Sequence, residues 1–123
     1  MADIFISHVE EDGREALEIA LGLEEAGYST WTYEIDSVPG SSYLLKTRQE
    51  IDKSKIMIFL VSRDSLSSSQ IESEVIHAHE EHKGFIPLLK DVSFAEFKNR
   101  RPDYAQVSGR GLPLTSPRAE QDH

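Results

Sequence analysis

At 123 residues the chain can enclose one hydrophobic core and is too short for two, because domains commonly run about 100 to 150 residues. Acidic side chains outnumber basic ones 22 to 13, for a formal charge of −9, which speaks against a nucleic-acid partner because neutralising phosphates takes clustered Lys and Arg. No apolar run approaches the roughly 20 residues of a membrane helix, and the absence of cysteine removes disulfides and thiolate metal sites.

Met1 to Ile6 has neither a basic region nor a small-residue cleavage site, so a cytoplasmic domain is expected. Ile4, Phe5 and Ile6 form a short apolar run typical of a strand covered on both faces. Residues 10 to 26 read as a helix: Glu10, Glu11 and Asp12 suit its positive end, Ala16, Leu17, Ala20, Leu21 and Leu23 give a broad apolar face, and Gly27 is the stop. Tyr28 to Tyr33, rich in aromatic and β-branched residues, reads as the second strand. Asp36-Ser37-Val38-Pro39-Gly40-Ser41 is a loop, since Pro39-Gly40 is a strong turn signal.

Residues 42 to 54 form a second helix that includes Leu44, Leu45 and Ile51, and Ile56 to Val61 is a third strand, apolar without alternation and therefore central. After the serine-rich stretch from Ser62 to Ser69, a third helix spans about Gln70 to Lys83, closed by Gly84, and Phe85 to Leu89 is the fourth strand. Such alternation implies βαβ units, hence an α/β fold of the flavodoxin-like, three-layer kind: a parallel sheet of four to five strands with helices on both faces. Phe94 and Phe97 anchor a short helix, Leu112 to Thr115 is the candidate fifth strand, and residues 116–123 read as a frayed tail or boundary after a domain over 1–115. The small basic cluster Lys98, Arg100 and Arg101 reads as a solvated helix end.

In open α/β sheets ligands sit beyond the carboxyl ends of the strands. The loops there carry neither GxxxxGK[ST] nor GxGxxG, so the usual nucleotide cradles are missing, and the carboxylate pattern of a response-regulator receiver is not met. His77, His79 and His82 do not converge on a metal, because about 100° per residue sends His77 and His79 to nearly opposite sides of a helix. No G-x-S-x-G elbow accompanies the serines. Ser69-Gln70-Ile71-Glu72 fits a capping box with Ser69 as cap. Glu74 falls about 60° to one side of Ile71, on the rim of the stripe made by Ile71, Val75 and Ala78, where it serves either as a solvated residue or as a group facing the crevice.

Asp3-Ile4-Phe5-Ile6-Ser7-His8 resembles the opening strand of TIR domains, and further matches follow in order. Gly27-Tyr28-Ser29-Thr30-Trp31 resembles the family's second strand, Val38-Pro39-Gly40 its BB loop, Ile58 to Ser62 its central strand ending in serine, and Glu74-Val75 with Phe85-Ile86-Pro87-Leu88-Leu89 its third helix and fourth strand. The match covers about residues 2 to 104, and its specificity lies in the combination.

The resemblance implies an activity. Many TIR domains cleave NAD+ at the nicotinamide ribosyl bond with one glutamate on the third helix, and Glu74 stands in that place, thirteen residues before Pro87. By the same resemblance Ser7, His8 and Ser62 border the substrate, and Tyr43 is either an aromatic beside it or a core contact of the second helix. Gln70 stands four residues before the glutamate, where enzymatic members often carry tryptophan. Asp36, Ser37, Val38, Pro39, Gly40 and Ser41 would form a lid and an interface with a neighbouring copy. The implied function is an NAD+ nucleosidase, glycohydrolase or cyclase, activated by self-association in immune or defence signalling, with NAD+ as substrate and neither cofactor nor metal. The alternative is a non-catalytic TIR interaction module.

Overall fold

The computed structural model describes residues 3–33, 43–108 and 112–113. Its elements in chain order are β1 (Ile4–Ser7), a 3-10 turn (Glu10–Asp12) entering α1 (Gly13–Glu25), β2 (Thr30–Trp31), α2 (Tyr43–Lys53), β3 (Ile56–Val61), the short α3 (Arg63–Leu66), α4 (Ser69–Glu80), β4 (Gly84–Leu89), α5 (Phe94–Arg100), α6 (Pro102–Ser108) and β5 (Leu112–Pro113). The strands make one parallel sheet in the order β2-β1-β3-β4-β5. This is the expected fold class.

Side chains alternate across a strand, so each strand feeds two cores. Phe5, Trp31, Met57, Phe59, Val61 and Leu89 point to one face, where Ile51 of α2, Ile71, Val75 and Ala78 of α4, Phe97 of α5 and Tyr104 of α6 cover them. Ile4, Ile6, Ile58 and Leu60 point to the other, under Ala16 and Ala20 of α1. Two fully buried alanines let α1 lie close on the sheet, with Ile19 and Leu23 flanking them. Leu17 and Leu21, expected in the apolar face of this helix, are instead 36% and 55% exposed. The buried stripe runs through Ala16, Ile19, Ala20 and Leu23, a spacing that turns both leucines outward.

Helix α1 ends in a Schellman motif: Gly27 takes φ +99°, its N–H reaches the Glu24 carbonyl, and the Tyr28 N–H reaches that of Leu23. That motif uses Tyr28 at the helix end, which is why the second strand is Thr30–Trp31 rather than all of Tyr28 to Tyr33. Helix α4 closes in the same way, with His82 at φ +57° and the Lys83 N–H on the Ala78 carbonyl. The stop is therefore His82, whereas Gly84 opens β4, where a Cβ would come 3.2 Å from Cγ1 of Ile56. The start of α4 also differs from expectation. Ser68 is extended (φ −89°, ψ 122°) and its Oγ accepts the Ile71 N–H, so Ser68 is the cap and Ser69 already lies in the helix. Glu72 then stands one position too late for a capping box and pairs with Arg101 at 3.0 Å.

Candidate active site around Glu74

β1 delivers Ser7 to the carboxyl end of the sheet on the face that α4 covers. There the Ser7 hydroxyl donates a hydrogen bond of 2.7 Å to Oε1 of Glu74, across 67 residues of sequence. Ser7 is 1% and Glu74 5% exposed. Glu74 is therefore not the solvated residue of the first reading: the turn that buries Ile71, Val75 and Ala78 carries it inward, against Ser7. A buried carboxyl group needs hydrogen-bond partners, and the Ser7 hydroxyl supplies one.

Tyr33, which sequence reasoning passed over, belongs to the same neighbourhood. Its hydroxyl shares a 3.1 Å hydrogen bond with Thr47 Oγ1 of α2. Burial pushes its phenol up and the Thr47 contact lowers it, while the negative charge of Glu74 raises it further. Trp31 stacks on Phe5 with centroids 5.1 Å apart and meets Tyr33 edge-on at 5.0 Å, so it belongs to the core and underpins Tyr33. The sequence signal for Tyr33 was its place at the exit of the second strand.

His8 is buried beside Ser7 in sequence, at the exit of β1. Gln70 is exposed on the first turn of α4, one turn before Glu74. Ser62, expected beside the substrate, is engaged in a separate network. It caps α3, and its hydroxyl donates to Oδ2 of Asp12. Asp12, 1% exposed, also accepts from Lys90 Nζ at 2.8 Å, and Lys90 reaches Glu15 at 3.1 Å. The hydrogen bond to Asp12 raises the Lys90 ammonium above its usual range. Burial works against ionisation of Glu15, yet the hydrogen bond and charge of Lys90 leave its carboxyl below the usual range. This network ties the ends of β3 and β4 to the start of α1. The side chain of Tyr43 and the segment Asp36, Ser37, Val38, Pro39, Gly40 and Ser41 lie outside the described residues, as do residues 116–123.

Across α4 the histidines separate as expected. His77 Nε2 lies 2.8 Å from Asp52 of α2, while His79 lines a cavity of about 270 Å³ with Val75, Ile76, Asp103, Tyr104 and Gln106. Arg101 packs 3.8 Å over the Tyr104 ring and joins Glu72 and Asp103, so this basic residue of the expected helix end is a structural link rather than a solvated charge.

Chemically, the end of the sheet holds one carboxylate fixed by a hydroxyl, the kind of group that can stabilise positive charge electrostatically. No helix among the described residues is long and apolar enough to cross a membrane. Solved structures with this fold include the TIR domains of the activated Roq1 resistosome that recognises the pathogen effector XopQ (22% identity, 87% of this chain and 68% of that one, TM-score 0.73). The TIR domain of the Toll-related receptor TRR-2 from Hydra magnipapillata is also similar (19%, 98% and 90%, 0.76). A third is a metazoan TIR-STING receptor from C. gigas (21%, 99% and 38%, 0.72), of which this chain spans about two fifths. No curated protein sequence matches the chain. The TIR domain model matches residues 4–112, which begin at β1, take in Ser7 and Glu74 and end at β5, and by that match the chain belongs to the TIR domain family.

Proposed function

We propose that this TIR domain is an NAD+ nucleosidase, a glycohydrolase or ADP-ribosyl cyclase, in which Glu74 acts on the nicotinamide riboside. The observation that carries the reading is the burial of Glu74 at the carboxyl end of β1, held by Ser7 at 2.7 Å. Nicotinamide leaves a cationic pyridinium as a neutral molecule and takes the bonding electron pair with it. The leaving group therefore needs no proton, unlike ordinary glycosides that require a pair of carboxyl groups. One carboxylate suffices to stabilise the oxocarbenium-like carbon electrostatically. Water then adds to that carbon and releases a proton, or a nitrogen of the adenine adds and closes a ring. No cofactor is needed, and NAD+ is the substrate.

In this reading Ser7, His8 and Gln70 border the substrate, and Ser62 with Asp12 and Lys90 holds the crevice in shape. Asp36 to Ser41 of a neighbouring copy closes the site, so activity depends on self-association. The likeness to the activated Roq1 resistosome supports a place in immune or defence signalling, and a cytoplasmic location belongs to the same proposal. The test is to incubate concentrated protein with NAD+ and follow nicotinamide release for the native chain and for Glu74→Ala. Release by the native chain that the substitution abolishes is expected.

One observation favours a second reading. Gln70, exposed one turn before Glu74, stands where enzymatic TIR domains often carry a tryptophan. A TIR interaction module without catalysis would self-associate and release no nicotinamide at any protein concentration.

A further inference from the structure

Beyond the crevice, α2 and α4 pack against each other and bring three metal-binding side chains together. Asp52 comes from the last turn of α2, His77 from the last turn of α4, and Glu81, four residues on, is the C-cap of that helix, a spacing that puts both on one side of it. One ligand atom from each lies within 4.8 Å of the other two. The His77 ring is set by packing, with its side chain 14% exposed and Nε2 aimed at Asp52 Oδ1, whereas Asp52 is 53% exposed.

We propose that Asp52, His77 and Glu81 bind a divalent first-row cation, zinc(II) in particular, bridging α2 and α4. The donor set decides the class of ion. One imidazole nitrogen with two carboxylate oxygens is a zinc-type set, while calcium and magnesium prefer oxygen alone. Bonds of about 2.0 to 2.2 Å require donors roughly 3.3 Å apart. His77 and Asp52 are at 2.8 Å, so their separation has to open slightly and Glu81 has to swing in. Both movements involve exposed carboxylate side chains. Water completes a four-coordinate shell.

Charge favours occupancy. Two carboxylates offset the ion, and the carboxyl end of α4 adds the negative pole of the helix. Lys83 is the competing cation, but its Nζ bonds the Asp52 main-chain oxygen at 2.8 Å and leaves the carboxylate available. His77 follows Glu74 by three residues, so a bound ion would fasten the helix that carries Glu74 to α2. The proposal stands on donor geometry and is independent of the NAD+ reading.

The experiment is calorimetric titration of the chain with zinc chloride, together with thermal unfolding with and without the metal. One tight equivalent per chain and a rise in melting temperature are expected. His77→Ala and Glu81→Gln should each weaken binding by at least roughly tenfold, while the double substitution His79→Ala, His82→Ala should leave it unchanged. Circular dichroism verifies that each variant is folded. An absence of binding at micromolar zinc overturns the proposal and leaves His77 and Asp52 as a hydrogen-bonded pair alone. Binding that survives His77→Ala, or that disappears with His79 and His82, overturns it as well.

Discussion

Removing the Ser7 hydroxyl isolates the contact on which the crevice is built. The bond to Glu74 is 2.7 Å long and both partners are buried. Hydrogen bonds to a charged group contribute about 1.5 to 3 kcal/mol, and a buried carboxylate that loses a donor bears the cost of its lost solvation. Ser7→Ala should therefore lower stability by about 2 kcal/mol. Part of that loss reflects the oxygen itself, so the informative quantity is the coupling in a double-mutant cycle. With Ser7→Ala, Glu74→Ala and the double variant measured by urea unfolding, a coupling of about 1 to 3 kcal/mol is expected, because the two residues touch directly. Nicotinamide release adds a second readout. If the hydroxyl also orients Glu74 for the substrate, the same energy converts to a fall of roughly tenfold to a hundredfold in kcat. A coupling below about 0.5 kcal/mol would show that the two side chains do not hold one another, and the geometry assigned to the crevice would be wrong.

Three further outcomes follow from the surrounding structure. Ser68→Ala should cost about 1 kcal/mol in urea unfolding, whereas Ser69→Ala should stay within about 0.5 kcal/mol, because only Ser68 caps α4; equal costs would return the cap to Ser69. Asp12→Ala should cost about 1 to 3 kcal/mol, since Ser62 loses its buried partner and Lys90 keeps only Glu15, and a near-neutral result would mean that the network does not stabilise the fold. Burial pushes the Tyr104 phenol from 10.0 up to about 12. A raised folded value keeps its stability contribution intact below the unfolded value and loses it as pH rises through the folded one. The unfolding free energy from urea titrations should thus fall between pH 10 and 12 by up to about 1.4 kcal/mol per pH unit, with a shallower fall in Tyr104→Phe; Lys90, also raised, adds to the loss.

Legibility in the sequence followed the strength of the local pattern. β3 was plain because six apolar residues with no alternation suit only a strand covered on both faces, and Ile56–Val61 is the central strand observed. β2 was overdrawn, since aromatic and β-branched content does not reveal that a Schellman motif draws Tyr28 into the end of α1. The cap of α4 was displaced by one residue because a run of serines offers several equivalent caps and only backbone geometry selects Ser68. Helical periodicity brought Glu74 to the rim of the core, but its partner there is Ser7, 67 residues away, and no local pattern carries such a contact. The Asp12, Ser62 and Lys90 network and the meeting of Asp52 with His77 and Glu81 were invisible for the same reason, each being assembled by packing between separate elements.

The central claim is that one buried carboxylate makes this TIR domain an enzyme. Nicotinamide released per chain, followed over a series of protein concentrations for the native sequence and for Glu74→Gln, tests it directly. The account predicts release that climbs with concentration in the native chain and stays at background in the variant. Equal release from both, or silence from the native chain at every concentration, would contradict it.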